Sequence, residues 1–144
     1  ILGIVQKNQA VNILLVTGKE SYKESGAKRE IEAQLEGRVF HYFDDFSCDP
    51  KLEDVHSGIE IIKQKKPDLI IAVGGGSVID MGKLINILAS QDIIDSMQLI
   101  KNCDLIVNKG LPLVAIPTTA GTGSEITPNA SFIDTIEKPE IKSS

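Results

Sequence analysis

Apolar residues along this chain fall into short unbroken runs, and amphipathic stretches separate them. Asn12-Ile13-Leu14-Leu15-Val16-Thr17 is apolar, β-branched and ended by Gly18, which predicts a buried strand. From Ser21 to Leu35 the chain is charged, with Ala27, Ile31 and Leu35 at helical spacing. Gly37 closes that predicted helix. Val39 to Phe43 reads as a second strand. Pro50 opens a further helix whose inner face carries Leu52, Val55, Ile59 and Ile62, and Pro67 follows its end. Asp68 to Val73 is the clearest strand, apolar on both faces, as expected inside a parallel sheet covered by helices. Gly74-Gly75-Gly76 stops it, and Ser77 to Ala89 predicts a helix with Met81, Leu84, Ile85 and Leu88 inward. Residues 91–111 are mixed and predict a short helix and a loop. Leu113 to Ile116 is a fourth strand, followed by Pro117 and a loop rich in Thr, Gly and Ser, and the last ten residues read as polar and irregular. Strands and helices alternate, so the expected fold is α/β: a Rossmann-like parallel sheet with flanking helices.

Composition narrows the function classes. The chain has 144 residues, 42% of them hydrophobic, enough for one domain with one core. Its net charge of −5 argues against a nucleic-acid partner, which requires a basic face. No apolar run approaches the roughly 18 residues of a membrane span. The start, Ile1-Leu2-Gly3, has no basic segment ahead of an apolar core, so no secretory leader is expected, and the lack of Met at position 1 suggests a trimmed chain. Cys48 and Cys103 have no partner at metal spacing. They read as reduced structural thiols, from which a cytoplasmic setting is expected. His41 and His56 stand alone in sequence, without the acidic or His neighbours of a metal site.

Two constellations carry chemistry. In Gly74-Gly75-Gly76-Ser77-Val78-Ile79-Asp80, three glycines sit between a buried strand and a helix. Backbone without Cβ atoms turns sharply and approaches a ligand closely. The helix that follows offers free N–H groups and a positive dipole end, which suit a phosphate. Ser77 is the expected N-cap, and Asp80 completes a pattern like a capping box. A plain strand–helix turn would need one or two glycines, not three. The spacing is neither Gly-x-Gly-x-x-Gly nor a P-loop, so those assignments do not follow. The second constellation is Pro117-Thr118-Thr119-Ala120-Gly121-Thr122-Gly123-Ser124-Glu125-Ile126-Thr127, also after a buried strand. Its hydroxyls can donate to phosphate and ribose oxygens without adding charge. Such a composition also occurs in surface loops, but its place at the edge that bears the glycine loop favours a shared binding crevice.

Together the two motifs resemble those of the iron-containing alcohol dehydrogenase family. Its GGGSxxD segment matches residues 74–80, and its PTTAGTGSE segment matches residues 117–125 without a substitution. The similarity runs from about Asn12 to Ile133. It also separates the chain from dehydroquinate synthases, which share the fold and the glycine loop but differ after Pro-Thr-Thr. The resemblance implies that residues 1–144 form an NAD(P)-binding domain, with pyrophosphate against Gly75, Gly76, Ser77 and Asp80. Thr118, Thr119 and Thr127 would surround the adenosine and phosphates, and Lys142 is the nearest match to a lysine that contacts the nicotinamide ribose. The family uses a helical C-terminal domain in which an Asp and three His hold iron or zinc, and that domain is expected to be absent from this chain. The implied activity is NAD(P)-dependent, metal-assisted hydride transfer between an alcohol and an aldehyde or ketone, by a homo-oligomer. The alternatives are a stand-alone nucleotide-binding module and an interaction domain that merely retains the fold.

Two departures from the family pattern matter. Many members have Val-Thr-Asp at the end of the first strand, where the Asp accepts the ribose 2′-hydroxyl. Here Val16-Thr17-Gly18 is followed by Lys19. Loss of the carboxylate removes repulsion toward a 2′-phosphate, and Lys19 can attract one, so NADP(H) is expected to be accepted alongside NAD(H). Cys48-Asp49-Pro50 replaces a common Asn-Pro near the adenine ribose. Asp49 cannot donate when ionised, and is expected to serve as N-cap of the helix beginning at Pro50. Gly18-Lys19-Glu20-Ser21 with Ser25-Gly26-Ala27 is also similar to reductases of phosphonoacetaldehyde.

Overall fold

A computed structural model describes residues 2–47, 51–91, 96–102, 104, 106–118 and 131–133. Its sheet has the order β2-β1-β3-β4-β5. The strands are β1 (Asn12–Thr17), β2 (Val39–Phe43), β3 (Leu69–Gly74), β4 (Leu113–Pro117) and β5 (Ser131–Ile133). The first four run parallel, as the sequence predicts. The fifth is antiparallel to β4, with Ala115 opposite Ser131, and was not anticipated. At three residues it is too short for any periodicity to show.

Helices cover both faces. One layer holds α1 (Leu2–Lys7), α2 (Ser21–Glu24) and α3 (Ala27–Gln34), and the other α4 (Leu52–Lys65), α5 (Gly76–Ala89) and α6 (Ser96–Lys101). The period of two sorts the strand side chains between them. Ile13, Leu15, Ile71, Val73, Val114 and Ile116 meet Ala27, Ile31 and Leu35 on the first face. Leu14, Val16, Ile70, Ala72 and Leu113 meet Val55, Ile59, Met81 and Ile85 on the second.

Two sequence expectations need correction here, and one helix was not expected at all. The helix expected over Ser21–Leu35 is broken in two, because Gly26 takes the left-handed conformation (φ 78°). The Ser25 hydroxyl stabilises the break by donating to the Tyr22 carbonyl and accepting from the Ala27 N–H, both at 3.3 Å. The N-cap of α4 is Lys51, whose N–H donates to the Asp54 carboxylate at 3.0 Å, so the helix begins at Leu52 and Asp49 is not its cap. Helix α1 had no forecast, being under two turns long.

A polar cluster joins the first helical layer to the outer strand. Glu32 accepts from Lys28 at 2.9 Å and from the hydroxyls of Tyr42 and Tyr22, and Lys28 lies over the Tyr42 ring. Burial pushes the Tyr22 hydroxyl far above its ordinary range. Burial also acts to raise the Glu32 carboxyl, but the hydrogen bonds from Tyr42 and Lys28 outweigh it and hold the group below its ordinary 4.5. A depressed carboxyl contributes stability that is present above the unfolded value and lost as pH falls through the folded one. Glu32→Gln is therefore expected to destabilise by about 1 kcal/mol or less at pH 7. Urea unfolding near pH 3 should show no such difference, and a difference that persists there would mean the carboxylate's charge is not responsible.

Candidate functional site at the carboxyl edge of the sheet

The strand order reverses between β1 and β3. From β1 the chain crosses to β2 on one side, and from β3 it crosses to β4 on the other, by helices on opposite faces. Such a reversal leaves a crevice at the carboxyl ends of the two central strands, where α/β sheets of this order bind their ligands. Gly18 and Lys19 follow β1, and Gly74-Gly75-Gly76 ends β3.

The two ends touch through one side chain. A Cβ on Gly18 would lie 3.9 Å from Val78 Cγ2, and a Cβ on Gly74 would be driven to 2.8 Å from the same methyl. Gly74, at φ 158°, thus permits the strand to turn directly over the first turn of α5. Next to it, a Cβ on Gly18 would also meet the Ser21 hydroxyl at 2.3 Å. Ser21 therefore fills the space that a larger residue at position 18 would require.

The N-terminus of α5 is arranged differently from the sequence expectation. Gly75, extended at ψ −173°, is the N-cap, and no side chain caps the helix. Ser77 is the second residue of the helix and half-buried, and Asp80 is exposed one turn further on, so the expected capping box does not form. Val78 and Ile79 both donate to the Gly75 carbonyl at 3.1 Å. The N–H groups of Gly75, Gly76 and Ser77 have no acceptor recorded among the described residues, as expected of a first helical turn. Among the described residues nothing lies within 4 Å of where a Cβ on Gly75 or Gly76 would stand, so these residues leave the approach to the two glycines open. Three donors without an acceptor among the described residues, at a positive dipole end, fit a phosphate.

The second motif begins beside them. Pro117 pairs with Gly74 across β3 and β4, and the Thr118 N–H donates to the Gly74 carbonyl at 3.0 Å. The structure thus brings Gly18, Lys19, Gly75, Gly76, Ser77 and Thr118 to one edge. Thr119, Thr127, Asp49 and Lys142 lie outside the described residues, as do Cys48 and Cys103.

Residues 2–144 match the family profile described as iron-containing alcohol dehydrogenase. The chain belongs to that family. It is 35% identical over 143 residues to the aldehyde-alcohol dehydrogenase of Streptococcus pneumoniae serotype 4, a match that spans 90% of this chain and 16% of that protein. It is 37% identical over 127 residues to long-chain-alcohol dehydrogenase 1 of Geobacillus thermodenitrificans, spanning 85% of this chain and 32% of the relative. Sulfoacetaldehyde reductase from Bifidobacterium kashiwanohense, solved in complex with NAD+, superposes with a TM-score of 0.73 at 28% identity, covering 94% of this chain and 38% of that one. This chain of the iron-containing alcohol dehydrogenase family therefore spans from about a sixth to a little over a third of the relatives it matches.

The sequence reading missed Asp45. Its carboxylate reaches Lys19 Nζ at 3.6 Å from the end of β2. The signal was present: Asp44 and Asp45 directly follow a predicted strand, at the edge where α/β sheets place their ligands. Among the described residues, no group of three or more His, Cys, Asp or Glu could hold a metal ion, and no helix is long and apolar enough to cross a membrane.

Proposed function

We propose that this chain is the cofactor-binding part of an oxidoreductase that interconverts an alcohol with an aldehyde or ketone. The observation that carries the reading is the uncapped N-terminus of α5 at the strand-order reversal, where the N–H groups of Gly75, Gly76 and Ser77 have no acceptor among the described residues. In this reading those groups bind the pyrophosphate of a nicotinamide dinucleotide. Thr118, Thr119 and Thr127 add hydroxyls along it, Asp80 lies on the flank of α5, and Lys142 contacts the nicotinamide ribose. The adenosine ribose lies toward Gly18 and Lys19, with Asp49 nearby. The family membership and the NAD+ complex of a related reductase support the assignment.

A nicotinamide, when bound, accepts or supplies the hydride. The work of this chain's residues is to hold its phosphates and present the ring at a fixed place. The divalent metal that polarises the substrate oxygen in this reading, iron or zinc, finds no ligand cluster among the described residues. The whole protein is proposed to act as a homo-oligomer on a small alcohol or aldehyde. Ser21 and Ser25 play local parts in the fold, filling the space at Gly18 and bridging the break after α2.

Gly18 carries no carboxylate to repel a 2′-phosphate, and Lys19 offers a cation, so NADP(H) is accepted. Calorimetric titration of the full-length protein with NADPH and with NADH tests both points. Saturable binding of at least one is expected, with NADPH no more than tenfold weaker than NADH. Binding of neither overturns the dinucleotide reading, and a larger preference for NADH overturns the part given to Gly18 and Lys19.

A further inference from the structure

We propose that Asp45 is a specificity-determining residue, which opposes Lys19 and so limits how strongly the crevice favours a 2′-phosphorylated ribose. The proposal rests on the dinucleotide reading above. β1 and β2 are neighbouring parallel strands whose last paired residues are Val16 and Phe43. The chain leaves both at the carboxyl edge, and Lys19 and Asp45 meet there at 3.6 Å, with side chains 68% and 92% exposed. Lys19 is thus not a free cation. Its partner comes from the segment that follows β2.

Position 18 has no side chain, and the space a side chain would take there is filled by the neutral hydroxyl of Ser21. A cofactor phosphate at Gly75 and Gly76 reaches the end of β1 next, since Gly18 and Gly74 both abut Val78. A 2′-phosphate arriving there must draw Lys19 away from Asp45 and accept the carboxylate's repulsion. A 2′-hydroxyl carries no charge and feels neither effect strongly. One unit charge at about 4 Å in water shifts an equilibrium roughly fivefold, so each member of the pair should move NADPH affinity by about that factor, in opposite directions.

The test is calorimetric titration of the full-length protein, comparing wild type, Asp45→Asn, Lys19→Ala and the double variant. Both side chains are largely exposed, so melting temperatures should be unchanged and confirm that folding is intact. Asp45→Asn is expected to tighten NADPH about fivefold and to leave NADH within twofold. Lys19→Ala should weaken NADPH about fivefold with NADH again within twofold, and the double variant should return the ratio to near its wild-type value. At about 0.5 M salt the differences should shrink, because screening then acts over a few ångströms. If wild type binds a dinucleotide but the NADPH/NADH ratio moves less than twofold in both single variants, the role of the pair is overturned while the cofactor reading stands. If wild type binds neither cofactor, the reading fails and the inference falls with it.

Discussion

Gly75→Asp is expected to abolish dinucleotide binding in a protein that folds at least as well as the wild type. The two effects separate because the position is a helix cap with nothing beside it. Gly75 lies at φ −77° and ψ −173°, a conformation open to any L-residue, and a Cβ there meets nothing within 4 Å. Aspartate is a favoured N-cap, and its charge suits the positive end of the helix, so stability should rise by a few tenths of a kcal/mol to about 1 kcal/mol. The same carboxylate would occupy the N–H groups assigned to pyrophosphate and repel its two charges. At about 5 Å and an effective dielectric of roughly 40, each repulsion is worth about 1.7 kcal/mol, which together raise Kd by at least ~100-fold. Calorimetry and a thermal melt on the same preparation read both quantities. An unchanged Kd would move the phosphate away from the glycine turn. Gly75→Ala, which adds bulk without charge, should show a smaller loss.

Asn86 should be the most costly polar side chain to lose. It is 0% exposed in α5, and its amide donates to the Leu111 carbonyl and accepts from the Leu111 N–H, both at 2.8 Å. Gln91 acts alongside it, accepting from Val107 and Asn108 and donating to the Asn108 and Ile87 carbonyls at 2.7 to 2.9 Å. The two amides fasten the segment that leads into β4 to the far end of α5. Asn86→Ala leaves both Leu111 groups unpaired as well as opening a small void, an expected loss of about 2–4 kcal/mol. At about 2–4 °C per kcal/mol for a domain of this size, the melting temperature should fall by roughly 5–15 °C. Asn86→Asp is the sharper test. It keeps the shape, yet sets a charge in a fully buried place against the Leu111 carbonyl, so at pH 7 it should cost at least as much as alanine. A loss under about 1 kcal/mol for either variant would show that the segment holds without this clamp.

Much of this architecture was legible in the amino-acid order. β1, β3 and β4 stand where unbroken apolar runs predicted them, since a strand covered on both faces has no polar side to disguise it, and β2 stands at its predicted Val39–Phe43. Strand order was not legible, because nothing local in Val39–Phe43 states that it lies outside β1. Its exposed Val39 and Tyr42 reflect that outer place only after the fact. The glycine turn between β3 and α5 could be read from the sequence, but the capping atom could not. Three successive glycines leave the turning point free, and the backbone made its turn at Gly75 rather than at the better capping side chain of Ser77. The Lys19–Asp45 pair joins residues 26 positions apart, which no window along the chain would bring together.

The amide clamp around Leu111 sits at the opposite end of α5 from the glycine turn. That separation bears on how the protein can change under selection. The substitutions expected to retune cofactor choice, at Lys19 and Asp45, fall on exposed positions that carry little of the folding free energy, while those expected to threaten folding fall at the other rim. A lineage can therefore drift between cofactors without first acquiring stabilising changes. In a randomised library, the residues at 19 and 45 can be varied together with few clones lost to misfolding.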